Sequence, residues 1–273
     1  MISSMKEGGR PGAALLPVRI PPADGMSLLE LLIGIAVFSF VVSSAALLFA
    51  HARKAWSAGT DRHFIDSSAR CALDTLARDM EASIADEKIS FCFRDDRFGI
   101  SSYGLTNSEL NLITISQKPE HGERAARAVQ YWVRESPNAP GRFELVRGCR
   151  KITPGPSGPY HSANWFEEPD EGGLGRPDSP SELGVVAENV ALFRLAAADT
   201  SNRLARAYDS VLDGTSALPR SVDVYIEILP PEAARRAADM AGKGIDVSEY
   251  VENNSRRYAM VVSAENRHGH TPR

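Results

Sequence analysis

The sequence predicts an α+β protein in which one long N-terminal helix, its first half able to cross a bilayer, packs its second half on a mostly antiparallel β-sheet. Three observations carry that reading. Leu31 to Ala50 contains no charged side chain. Ile65, Ala69, Ala72, Leu73, Leu76, Met80 and Ile84 recur at steps of three and four, which lines one face of a helix. From about Lys88 onward the apolar period drops to two, the spacing of strands with one buried face. With 43% hydrophobic residues in a chain of 273, there is enough apolar surface for a core, and a helix laid over a sheet is a stable way to hide it.

The apolar stretch comes first. A helix needs about 20 apolar residues to cross a hydrocarbon core of roughly 30 Å, so Leu31 to Ala50 reads as a membrane span. A helix buried in a soluble core would show a polar stripe, whereas the polar side chains here, Ser39, Ser43 and Ser44, can bond back to their own backbone. The stretch exceeds a typical secretory h-region and no A-x-A-like site follows it, so it stays in the mature protein. Lys6, Arg10 and Arg19 precede it while Arg53, Lys54, Arg62 and Arg70 follow, and the positive-inside count leaves the orientation open.

The helix should continue to about residue 86, since Gly59 is the one breaker between Lys54 and Ile84. Asp74 and Arg78 form an i,i+4 pair opposite the apolar stripe. At 100° per residue Cys71 falls well off that stripe, away from any cysteine in the sheet.

Seven segments then read as strands rich in β-branched and aromatic residues: KISFCFRD, ELNLITIS, AVQYWVRES, RFELVRGCRK, NVALFRLAA, SVDVYIEIL and RYAMVVSAE. The turn cluster SPNAPG at 136–141 makes a hairpin of the third and fourth. Prolines open and glycines close PPEAARRAADMAGKG, which places a helical insertion at 231–253 inside the last hairpin. Residues 153–183 hold too much proline and glycine for regular structure and form the longest loop.

Composition narrows the function. A net charge of −4 argues against electrostatic capture of nucleic acid. Cys71, Cys92 and Cys149 lie far apart with no C-x-x-C pair, which disfavours a zinc site or dithiol chemistry. No P-loop, H-E-x-x-H, G-x-S-x-G or G-x-G-x-x-G occurs, so no catalytic residue, metal site or cofactor is predicted. His268 and His270 sit in a C-terminal stretch beside Pro272 and read as solvated.

One acidic residue remains to be explained. Glu30 stands where hydrocarbon should begin, and an unpaired carboxylate there costs a few kcal/mol, so it calls for a partner. Cleavage after Gly25 would supply one: the new amine would be that of Met26, and Glu30 lies four residues on along the same helical face.

G-M-S-L-L-E followed by about twenty apolar residues resembles the class III signal of type IV prepilins and type II secretion pseudopilins. The resemblance implies cleavage between Gly25 and Met26 by a prepilin peptidase, N-methylation of Met26, and a role in assembly for Glu30. It divides the chain into a leader (1–25), a transmembrane half-helix (26–52), an amphipathic half-helix (53–86) and a β-rich extracytoplasmic domain (87–273) with a pilin-like fold. The leader is long, Met replaces the usual Phe after the cut, and no proline interrupts the apolar helix. ALDTLARDMEASI, the paired block AVQYWVRE…RFELVRGC and LPRSVDVYIEIL resemble the larger, J-type minor pseudopilins.

A subunit of this kind is structural and catalyses nothing. Its implied partners are the peptidase, other minor pseudopilins or pilins, and the inner-membrane assembly platform with its ATPase. Its implied place is the inner membrane, crossed once, with the C-terminal domain in the periplasm. An oxidising compartment also suggests a disulfide between Cys92 and Cys149, both in the strand region, contributing on the order of 2–4 kcal/mol.

A second reading is a membrane-anchored binding module or enzyme whose ligand site lies near the 153–183 loop. Glu167, Glu168, Asp170 and Glu171 offer oxygen ligands there, although their spacing matches no defined calcium loop. Trp165 and Phe166 beside them either pack back on the sheet or meet a partner.

Overall fold

The structure is a computed structural model, which describes residues 27–96, 101–115, 126–152, 165–167, 175–198, 204–212 and 218–263. The chain divides into two compact units, with the boundary between Ala55 and Trp56. One helix, α1, runs from Leu28 to Glu81.

In the first unit α1 is bare. Leu28 to Ala55 bury none of their most apolar window, and large side chains such as Leu29, Phe38, Phe40, Leu48 and Phe49 are exposed. The helix is long and apolar enough to cross a membrane.

In the second unit α1 is half covered. Ile65, Ala69, Ala72, Leu73, Leu76 and Met80 are all buried, while Asp74 and Arg78 face solvent. The helix stops about five residues short of the expected end. Ser83 Oγ donates to the Met80 carbonyl at 2.6 Å, which satisfies a terminal acceptor, and the chain passes directly into a strand. Ile84, expected on the helical stripe, therefore pairs with Ile113 across a sheet.

The strands are β1 (Ser83–Ile84), β2 (Cys92–Asp95), β3 (Ser101–Ser102), β4 (Leu105–Thr106), β5 (Ser108–Ile115), β6 (Ala126–Glu135), β7 (Phe143–Lys151), β8 (Leu183–Glu188), β9 (Val190–Ala198), β10 (Leu204–Ala205), β11 (Tyr208–Asp209), β12 (Val222–Ile228) and β13 (Arg256–Val262). Every pairing among them is antiparallel. Among the described residues the expected single sheet is two main sheets and a small ribbon. One has the order β11-β2-β5-β6-β7-β8, with β1 also on β5; the other has the order β10-β9-β12-β13; β3 and β4 pair alone.

The split has a local cause. Asn189, at φ +57°, turns the chain out of β8 and into β9 of the other sheet, a backbone region that asparagine tolerates better than most residues. Side chains then tie the sheets together: the amides of Phe193 and Leu195 on β9 donate to Asn107 Oδ1 at 2.9 Å and Ser108 Oγ at 3.1 Å. The core fills the space between, where the α1 stripe meets Phe93, Leu112, Val129 and Leu145 from the first sheet and Phe193, Val224 and Ile226 from the second.

The insertion at 231–253 is two helices, α2 (Pro231–Gly242) and α3 (Ser248–Asn254). Ala233, Ala234 and Ala237 of α2 pack with Tyr103, Leu229 and Val251. At the β6–β7 turn, Gly141 takes φ +73°, and a Cβ there would stand 2.9 Å from that of Ala238. This close approach is why the turn needs glycine.

Candidate functional site

The helix entrance is the first part of the site. Ser27 caps α1: its Oγ accepts the Glu30 amide at 3.2 Å, and its carbonyl accepts the Leu31 amide at 3.1 Å. Serine with glutamate three residues on is the capping-box pattern, legible in the sequence once the start of the helix is known. Glu30 sits in the first turn, where a negative charge complements the helix dipole, and its exposed carboxylate has no protein partner among the described residues. Gly25 and Met26 lie outside the described residues.

The second part lies on the lower half of α1, where two carboxylates hold the helix to the sheets. Asp79 Oδ2 accepts from Tyr131 Oη at 2.5 Å and from Arg147 Nε at 2.6 Å, and Oδ1 accepts from Arg147 Nη2 at 3.1 Å. Tyr131 and Arg147 are cross-strand partners on β6 and β7, so one residue of the helix grips two strands. Burial, reinforced by the Asp79 charge, pushes the Tyr131 hydroxyl far above its ordinary range. Burial opposes the charge on Arg147, but the Asp79 bond and charge outweigh it and hold that guanidinium ionised.

Asp66, 13 residues nearer the start of the helix, accepts from Tyr258 Oη and from Arg256 Nη1 at 3.3 Å, both on β13. The Tyr258 hydrogen bond, helped by the Arg256 charge, lowers the Asp66 carboxyl pKa. Neither aspartate stands out in the sequence, because a polar residue off the apolar stripe is what any amphipathic helix carries.

Of the long loop, Trp165 and Phe166 pack with Cys92, Ile113 and Ala128 on the face of the first sheet away from the main core. Trp165 and Phe166 are buried, with Trp165 Nε1 donating to the Ser90 carbonyl at 3.5 Å. The aromatics therefore pack on the sheet and do not form an exposed contact. Charges close around them: Glu167 pairs with Arg94 at 3.0 Å, Arg94 with Glu109 at 2.9 Å, and Arg176 with Glu109 and Asp96 at 2.6 and 2.8 Å. The Arg94 guanidinium lies 5.1 Å from the Phe166 ring centre, and that of Arg176 lies 5.3 Å from Trp132. Glu167, offered by the sequence as a cation ligand, is thus taken up by an arginine, while Glu168, Asp170 and Glu171 lie outside the described residues. Among the described residues no cluster of three His, Cys, Asp or Glu side chains is placed to hold a metal.

The disulfide expected between Cys92 and Cys149 is overturned. Both thiols are free, as is that of Cys71. Cys92 on β2 aligns through Asn111 and Gln130 with Gly148 on β7, so Cys149 belongs to the adjacent row and points to the other face. Three strand spacings, about 14 Å, also separate the two positions, against a Cα reach of roughly 4.4–6.8 Å for a disulfide. Location in a strand region does not specify which strand lies beside which, and the pairing failed on that point. Instead Cys71 and Cys149 border one surface cleft with Thr75, Arg127 and Arg147. Helical phase put Cys71 off the stripe, which is correct, but said nothing of the groove flanking it.

Compared with known proteins, the chain matches no family model, no curated protein and no solved structure.

Proposed function

We propose that this chain is a minor pseudopilin or pilin of a type II secretion or type IV pilus-like machine, cut after Gly25 and carried by α1 into a filament or its tip complex. The observation that carries the reading is the division of labour along one helix. Its first half exposes an uninterrupted apolar surface with a single carboxylate, Glu30, in the first turn, and its second half is latched to a folded β domain. That is what a subunit needs if the same helix serves as membrane anchor before assembly and as filament core after it.

In this reading the peptidase recognises Gly25 and Met26, and Met26 is methylated. Glu30 then pairs with the amine of a neighbouring Met26 as the subunit docks on the assembly platform. The domain lies in the periplasm, and no step requires catalysis by this chain. The alternative, a ligand site at the 153–183 loop, would be served by Trp165, Phe166 or Glu167 meeting a ligand, whereas the two aromatics are buried in packing and Glu167 pairs with Arg94.

The test is expression in a host with an active prepilin peptidase, followed by N-terminal sequencing and intact mass. A mature chain beginning at N-methylated Met26 is expected, and Gly25→Val should abolish the cut while leaving the protein in the membrane. A mature wild-type chain that retains residues 1–25 overturns the proposal. Glu30→Ala and Glu30→Gln should still be cleaved and folded but should fail to co-purify with partner pseudopilins; wild-type co-purification by both would leave Glu30 as a helix-capping acid only.

A further inference from the structure

The charge pattern at the far end of the apolar stretch points to a lipid contact. From Leu31 to Thr60 the helix carries no acidic residue, and its two cations, Arg53 and Lys54, stand together two positions after His51. All three side chains are exposed, and no described residue pairs with them. The β domain treats arginine differently: Arg94, Arg134, Arg147, Arg150, Arg176 and Arg256 each have a carboxylate within ion-pair distance.

Spacing and azimuth indicate what the free cations meet. At about 1.5 Å per residue, Arg53 lies roughly 35 Å along the helix from Glu30, just beyond a hydrocarbon core of about 30 Å. Steps of 100° put His51, Arg53 and Lys54 on three different sides of the helix, so no single protein groove can receive them. A layer of charge surrounding the helix can. Long cationic side chains reach that layer from an apolar stem, and Trp56, two residues beyond Lys54 and 80% exposed, is the residue type that favours the same depth.

We infer that Arg53 and Lys54, with His51, bind the phosphates of anionic phospholipid headgroups and set the depth of the helix in a leaflet rich in them. The inference rests on the membrane-anchored reading above.

The test uses the full chain in micelles of a zwitterionic detergent, titrated with brominated phosphatidylglycerol or brominated phosphatidylcholine while tryptophan fluorescence is followed. Trp132 and Trp165 are 5% and 0% exposed, so contact quenching reports Trp56. At low salt the anionic lipid should half-quench at a concentration roughly 30-fold lower than the neutral one, about fivefold for each of two cations. Arg53→Gln with Lys54→Gln should bring the ratio to about one, as should high salt. Equal quenching of the wild type by both lipids, or a preference that survives the double substitution, overturns the inference and leaves the anchor standing. Quenching by neither lipid overturns both.

Discussion

Asp79→Ala removes the carboxylate that joins α1 to β6 and β7, and its cost follows from what it strands. The Asp79 and Arg147 side chains are 15% and 27% exposed, and Tyr131 is fully buried as a residue. Breaking a fully buried ion pair costs about 3–5 kcal/mol, because the survivor is left charged and unpaired. Partial exposure lets water reach Arg147 and brings that term below the range, to about 1–2 kcal/mol, whereas the orphaned Tyr131 hydroxyl adds a desolvation penalty of about 1–3 kcal/mol. A loss of about 3 kcal/mol is the balance. In a unit of this size each kcal/mol lowers Tm by about 2–4 °C, so a drop of about 6–12 °C is expected. The assay is thermal and urea unfolding of the full chain in detergent for Asp79→Ala, Arg147→Ala and the double variant. The pair should couple by at least 1 kcal/mol, since residues in one network do not add. A coupling below about 0.5 kcal/mol, or a Tm within 2 °C of wild type for Asp79→Ala, would show that the latch is solvated and idle.

Three further outcomes are expected. Gly148→Ala should destabilise by about 1–3 kcal/mol and shift the tryptophan emission, because the new Cβ meets Pro177 Cγ at 2.7 Å and Trp132 Cζ3 at 2.9 Å, two rings with little room to retreat; unchanged unfolding would refute that packing. Under native alkylation Cys71 should react first and Cys149 more slowly, while Cys92 stays protected, since burial and the nearby Asp209 carboxylate hold its thiol far above the usual range; peptide mapping that finds Cys92 modified before unfolding would contradict it. Tyr131 and Tyr103 keep their protons in the folded state past the point where an unfolded tyrosine loses its own; the Tyr103 hydroxyl is pushed up to about 12, mainly by burial. The folded form then binds more protons than the unfolded one above about pH 10, so stability should fall with rising pH by about 1.4 kcal/mol per unit for each group, and Tyr131→Phe should flatten that slope.

Much of the fold is legible because its signals are local and periodic. The stripe from Ile65 to Met80 is a 3.6-residue pattern, and each of its six residues is buried. The segments around β5, β6, β7, β9, β12 and β13 read as strands for the same reason. β8 went unread because LGVVAE is short and follows a proline-rich stretch that masks its start. The division into two sheets was not legible, since it depends on one left-handed asparagine and on Asn107 and Ser108 reaching across to β9, contacts between residues more than 80 positions apart. The same limit hid the partners of Asp66 and Asp79 and misled the cysteine pairing. Strand character can be read from neighbours in sequence, but strand order cannot. Glu30 was legible as an anomaly in an apolar run, while its place in a capping pattern with Ser27 needed the start of the helix to be fixed first.

The spacing of the two aspartate latches has a mechanical consequence. Asp66 and Asp79 lie 13 residues apart, about 20 Å along a stiff rod, and they grip different sheets, β13 at one point and β6 with β7 at the other. A pull along the rod axis loads both grips at the same moment, together with every buried side chain of the stripe between them. The joint must therefore fail in shear, all contacts at once, and cannot be peeled apart one turn at a time. A force applied sideways at one end would instead break the nearer grip alone and let the rest unzip. The domain is thus strongest against axial tension, the direction in which a helix can transmit load.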